Sequence, residues 1–339
     1  MSSAAPRHPE DSRLAPLRTP GFRLLMGFRI LTILSYQGVA VTVGWHVYEL
    51  TRDPWMLGLV GLAEVLPYFC VAPFAGHLVD VLPRRRLGAF AAACLAITPL
   101  LLMAIAAGWW TAGGTFAIYA AIALTGCVRA FLGPVYNALF GRVLPRAQFV
   151  RGASLGSIVF QAGLVTGPTI GGFLVGWAGK PVAYAVAAVF AACAALAMLR
   201  MQVEEPAPAA TRTPVLSSIA EGARFVFGHQ VLLAALALDM FAVMFGGAIS
   251  LAPAFIQEIL HYGPEGLGIL RAAPALGAVA MGVWLARRPL DRNAGRILLL
   301  AVVGFGLCMI GFGLSTAFWL SACFLLLSGV CDGVSVVAR

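Results

Sequence analysis

Arg29, Glu64, Arg129, Asp239 and Asp332 each stand inside a long apolar run. The runs reach about twenty residues, the length that crosses a bilayer as a helix. A charge at the centre of such a helix costs about 2.5–3.5 kcal/mol on insertion scales, so it faces a partner, a wet cavity or an ion path. An embedded carboxyl can take up and release a proton, which makes Glu64 and Asp239 candidates for binding a coupling proton. Arg29 and Arg129 lie in one half of the chain, Asp239 and Asp332 in the other, at corresponding places. Pairing between the halves, above all of Arg29 with Asp239, is therefore expected to help close the cytoplasmic side in the outward-open state. The competing readings are structural: Glu64 as a hydrogen-bond partner of a neighbouring helix, and Arg29 as a side chain long enough to reach the headgroups. Arg271, nearer the end of its run, is expected to reach the headgroups or to pair with Glu265.

Other chemistries find less support. Gly152-Ala153-Ser154-Leu155-Gly156 matches the Gly-x-Ser-x-Gly turn of serine hydrolases. That motif needs a strand-turn-helix with His and Asp partners. Here it opens an apolar helix, and 38 Gly make a chance match easy. No His-Glu-x2-His, calcium loop, Gly-Lys-Ser/Thr phosphate loop or paired-Asp prenyl pyrophosphate motif occurs. This argues against a metalloprotease, an ATP-driven pump and a membrane prenyltransferase. The seven Cys lie in apolar runs without Cys-x2-Cys spacing, so they read as small helix residues rather than disulfides or metal ligands. No metal and no cofactor is expected. Tyr36, Trp45, Tyr68, Phe131, Tyr136, Phe160, Phe241 and Phe245 could line a site for a large amphipathic molecule, although packing is the default for any one of them. Trp55, Trp109, Trp110 and Trp319 read as interfacial anchors.

The elements that position these residues follow from composition. Of 339 residues 60% are hydrophobic and 11% charged, against about 45–50% and about 25% in soluble domains. That excludes an ordinary soluble enzyme, a disordered chain and a small secreted scaffold. Ten runs of spanning length appear: Phe22–Glu49, Trp55–Leu78, Leu87–Ala107, Thr115–Phe140, Gly152–Trp177, Pro181–Leu199, Val231–Gln257, Leu267–Ala286, Ile297–Leu314 and Ala317–Ala338. The net charge of +9 is carried by short Arg clusters between runs. That is a topology pattern and not a nucleic-acid-binding face. Arg18, Arg23, Arg84–Arg86, Arg142, Arg146, Arg151, Arg200, Arg287, Arg288 and Arg296 fall on one side; the other holds only Arg52 and Lys180. The N-terminus is accordingly expected in the cytoplasm.

The chain divides into a tail at 1–21, a six-helix bundle at 22–200, a polar linker at 201–230 with a possible short amphipathic helix at Ser217–Phe227, and a four-helix bundle at 231–339. The halves repeat. Leu124-Thr125-Gly126-Cys127-Val128-Arg129 resembles Leu327-Ser328-Gly329-Val330-Cys331-Asp332. Between the second and third runs, Gly76, Asp80, Arg84 and Arg85 are spaced as a loop motif. An Asp at a helix C-terminus needs a cationic or N–H partner, which the Arg trio could supply. In the fifth run, Gly163, Gly167 and Gly171 share one face, so that another helix can approach closely. Pro168 bends the helix and Gly172 completes the string.

These motifs resemble those of the major facilitator superfamily. Gly76, Asp80, Arg84 and Arg85 match its Gly-x3-Asp-[Arg/Lys]-x-Gly-Arg-[Arg/Lys] signature, with Val81 and Pro83 departing from it. Arg129 with Gly133 is similar to an Arg-x3-Gly signature tied to proton coupling. The string Gly163, Gly167, Pro168, Gly171, Gly172 is similar to that of the antiporter branch, and the texture is nearest to enterobactin-exporter-like and macrolide-efflux-like members. The resemblance implies an all-α, polytopic two-bundle fold with about 10 of the expected 12 transmembrane helices, so a fragment is expected. It also implies a proton-coupled exporter of a small amphipathic molecule, a siderophore or a drug, working by alternating access. Such a protein is a monomer in a bacterial inner membrane whose partners are substrate, protons and lipid. An uptake permease is the same-class alternative; a membrane enzyme or a non-transporting scaffold is the alternative from another class.

Overall fold

The computed structural model describes residues 15–110, 114–203, 224, 226–230, 233–234, 237, 240, 247–287 and 294–338. Within these the chain is helical. The first half holds α1 (Pro20–Thr51), α2 (Pro54–Val81), α3 (Arg84–Ala106), α4 (Gly114–Val143), α5 (Phe149–Ala178) and α6 (Lys180–Arg200). The second holds α7 (Ala252–Phe255) between a 3-10 turn (Gly247–Leu251) and a π turn (Ile256–Leu260), then α8 (Pro264–Arg287), α9 (Ala294–Leu314) and α10 (Phe318–Ala338). Among the described residues nine helices are long and apolar enough to cross a membrane. Nine of the ten expected spans are found; much of the first part of the seventh, Val231–Gln257, lies outside the described residues, as does most of the linker.

Local chemistry sets the ends of these helices. Pro20 and Pro54 stand in the first turns of α1 and α2, where a missing N–H costs nothing. Asp53 caps α2, its Oδ1 accepting from the Trp55 N–H at 2.9 Å. Gly179 turns the chain between α5 and α6 at a φ of 85°. Successive helices run antiparallel, so the Arg clusters gather at one end of the molecule. At that end Phe22, Leu25, Leu95, Leu139 and Met198 form a buried cluster. Toward the opposite end a second cluster holds Val41, Ile256, Leu267, Leu270 and Phe312. Large apolar side chains such as Phe90, Phe116, Phe173, Leu300 and Leu307 are exposed, as in helices whose solvent is lipid.

In the first half α2 lies on α4, α3 on α6 and α1 on α5 and α6; in the second, α8 and α9 lie on α10; α5 and α8 join the halves. The repeat read from sequence is visible as matched crossings. A side chain at Gly126 of α4 would strike the Glu64 carbonyl of α2, and one at Gly329 of α10 would strike the Pro274 carbonyl of α8. Gly277 of α8 meets the Leu326 carbonyl in the same way. Backbones approach this closely only where both helices lack bulk. Gly126→Ala and Gly329→Ala are each expected to lower stability by about 1–3 kcal/mol, read as a fall in unfolding temperature in detergent. Gly76→Ala should leave that temperature unchanged, because a Cβ at Gly76 meets nothing within 4 Å.

Candidate functional site

The crossing at Gly126 brings together the first pair of charges. One turn along α4 from that contact, Arg129 Nη1 donates to Glu64 Oε1 in an ion pair. Its guanidinium also lies over the Tyr36 ring of α1, 4.3 Å from the centroid. The side chains keep 34% (Arg129) and 20% (Glu64) of their exposure, so the pair is not sealed inside packing. Arg129 thus finds its counter-charge in its own half, and the hydrogen bond to a neighbouring helix weighed for Glu64 is present.

Arg29 turns inward. Its guanidinium stands 3.9 Å from the centroid of Tyr136 on α4 and 5.1 Å from that of Phe160 on α5, positions at which the ring quadrupole attracts a cation. Asp239, its expected partner, lies outside the described residues, together with Phe241 and Phe245.

The glycine string of α5 forms a seam. Methyl groups added to Gly163, Gly167 and Gly171 would meet Ile33, Gln37 and Gly38 of α1. Gly172 faces the second half: a Cβ there would come within 2.7 Å of Gly268 Cα and 2.8 Å of the Pro264 carbonyl on α8. A Cβ at Gly268 would in turn come within 2.7 Å of the carbonyl of Pro168. The halves are therefore joined, at the end opposite the Arg clusters, by bare main chain. At the same end Tyr48 of α1 donates to Glu258, and Arg52 Nη1 donates to Gln257 Oε1 at 3.0 Å.

On the other side of this seam a cavity of about 570 Å³ lies between the halves. The first half contributes Gln37, Phe160, Gln161 and Leu164; the second contributes Arg271, Pro274, Phe305, Met309, Ser328 and Asp332. Ala278, Gly282 and Gly333 carry its wall along α8 and α10, away from the Gly172–Gly268 contact. Asp332, a candidate from the sequence, is exposed on this wall and engaged in an interaction of its own. Arg271 departs from expectation. It belongs to the cavity wall, and among the described residues neither Glu265 nor any other carboxylate pairs with it. Glu265 is turned instead toward Gly176 and Gly263.

The loop motif joins helix ends. Arg84 Nε donates to the Val79 carbonyl in the last turn of α2 at 3.2 Å, and Arg85 Nη1 donates to the Met201 carbonyl beyond α6 at 2.8 Å. Cations there satisfy carbonyls that a helix end leaves unpaired. Asp80 is exposed.

Sequence reading missed Gln37, Gln161, the contact of Tyr36 with Arg129 and the cavity position of Arg271. Gln37 carried a usable signal as a polar residue inside a spanning run; Arg271 was misplaced because distance along a helix does not show which side faces a cavity.

Two helical halves that share the Gly126 and Gly329 crossings and line a cavity between them define a multi-pass membrane protein of the two-bundle class. The chain belongs to the Major Facilitator Superfamily, which it matches over residues 25–338. It is 28% identical over 229 residues to the multidrug efflux pump Tap of Mycobacterium bovis, an alignment covering 63% of this chain and 52% of the pump. The chain thus spans about half the length of that relative. It is 25% identical over 335 residues to the enterobactin exporter EntS of Shigella boydii, covering 95% of this chain and 77% of the exporter. Among solved structures, the nucleoside transporter NupG superposes with a TM-score of 0.71 at 12% identity, over 94% of this chain and 81% of that one. That likeness shows the shared fold.

Proposed function

We propose that this chain exports a small amphipathic molecule in exchange for protons, by alternating access across a bacterial inner membrane. The observation that carries the reading is the cavity between the halves, closed at one end by the Gly172–Gly268 contact and extended away from it along α8 and α10. In this reading the Arg-rich ends and residues 1–21 face the cytoplasm, in keeping with the charge bias. The chain acts as a monomer and does no covalent chemistry on its cargo. Its bundles at 22–200 and 231–339 rock about the cavity, with 201–230 as the connection between them. Glu64 holds the coupling proton. Protonation cancels the charge that Arg129 pairs with and frees the guanidinium, so proton uptake changes which contacts hold α2 to α4. Substrate and proton move the equilibrium only through their different affinities for the two states. Export rather than uptake is supported by the glycine string of α5 and by the names of the two relatives.

The test uses inside-out membrane vesicles with an imposed pH gradient, acid inside, and ethidium and 2-naphthoate as probes. At least one probe is expected to accumulate in the vesicles and to discharge the gradient, both effects vanishing with an uncoupler. Failure of both probes to move with the gradient would count against proton-coupled export.

A further inference from the structure

We propose that Arg271 is the anion-binding group of the cavity, and that the cargo is an amphipathic organic anion bearing a carboxylate or an ionised phenol. The proposal rests on the carrier reading above and goes further by naming the chemistry of the cargo.

Arg271 lies on α8 one turn past Gly268 and belongs to the cavity wall. It reaches across to the first half: a Cβ at Gly44 of α1 would be 3.5 Å from Arg271 Nη2. Its Nε is shielded from solvent and meets no acceptor among the described residues. No carboxylate among them forms an ion pair with it. Glu64 acts on it only through space, and Glu64 is already paired with Arg129. Arg129 and Arg29, by contrast, are each matched to a carboxylate or to aromatic faces.

A guanidinium held at membrane depth with no partner among the described residues is costly. It is a planar fork of donors suited to two oxygens of one anionic group. The amides of Gln37 and Gln161 line the same space from the first half, so one anion can be held by both halves at once. Phe160, Leu164 and Phe305 supply an apolar wall for the rest of the molecule. A group placed this way recognises charge at the blind end of the cavity and hydrophobic bulk nearer its mouth.

The test measures binding of 2-naphthoate and of its uncharged analogue 2-naphthamide to the purified full chain in lipid nanodiscs. Wild type is expected to bind the carboxylate roughly tenfold or more tightly than the amide, the discrimination a charge-assisted fork supplies over a neutral contact. Arg271→Gln should weaken naphthoate by a similar factor and leave naphthamide unchanged, and Arg271→Lys should retain part of the preference. Without ligand, Arg271→Gln should unfold at a higher temperature than wild type, because it removes a charge that has no partner among the described residues. Equal binding of the two probes by wild type would overturn the proposal without recourse to any variant. So would undiminished naphthoate binding by Arg271→Gln, or a lower unfolding temperature in that variant. If naphthoate binds through Arg271 while neither probe is moved by a proton gradient, the transport reading fails and this site stands. If ethidium moves with the gradient while naphthoate binding ignores Arg271, the site alone fails.

Discussion

Glu64→Gln is expected to lower proton-driven efflux by roughly tenfold or more, about 1.4 kcal/mol in the coupled step. Probe binding should hardly change, because Glu64 is absent from the cavity wall. The amide keeps an acceptor for Arg129 but can no longer exchange a proton, so the substitution separates coupling from folding. Glu64→Ala is the contrasting case. It leaves the Arg129 guanidinium with only the Tyr36 ring, and breaking such a pair costs roughly 3–5 kcal/mol where it is buried; the partial exposure here places the loss below that range. Efflux rates in vesicles and unfolding temperatures in detergent check the two variants. Full proton-driven efflux by Glu64→Gln would remove Glu64 from the mechanism.

The second large effect is expected at the seam. Gly172→Val places three carbons where Gly268 Cα and the Pro264 carbonyl already stand within contact distance. Both obstacles are backbone and cannot rotate away, so α5 and α8 must part. Efflux is expected to fall by roughly tenfold or more, with the cavity held open at the end that is closed here. A cysteine at Gln161 reports this directly: a membrane-impermeant thiol reagent added from the side opposite the Arg clusters should label it in Gly172→Val and not in the parent. Unchanged labelling would show that the Gly172–Gly268 contact is not what closes that end. Gly176→Val, which meets the Glu265 carboxylate and the Pro264 ring, should be milder, because a side chain can move aside.

Much of the fold was legible because membrane insertion writes itself into sequence. Runs of spanning length, Arg clusters on alternate connections and Gly or Pro at helix ends are local signals, and the helices begin and end close to them. The repeat was legible too, since Gly126 and Gly329 share a local pattern and perform the same close approach. The pairing of charges was not. The match of Arg29 with Asp239 involves a residue outside the described ones. Matching Arg129 with a carboxylate of the other half assumed that opposite charges at corresponding positions meet. Whether they do depends on helix rotation, which apolar content alone does not fix in helices surrounded by nonpolar groups on every side. Arg129 meets Glu64 because Gly126 lets α4 lie against α2 at that level, and Arg29 is taken by the rings of Tyr136 and Phe160. Arg271 was misjudged for the same reason.

The main-chain seal has an electrical consequence. A water-filled vestibule brings the potential of one bulk phase deep into the molecule, so most of the membrane voltage must fall across the short dry stretch where α5 and α8 touch. Each elementary charge carried through 100 mV is worth about 2.3 kcal/mol. With the field focused there, a small displacement of Arg271, or of an anion bound to it, harvests a large share of that energy. Rates of cargo movement should then respond to voltage even at equal pH on the two sides.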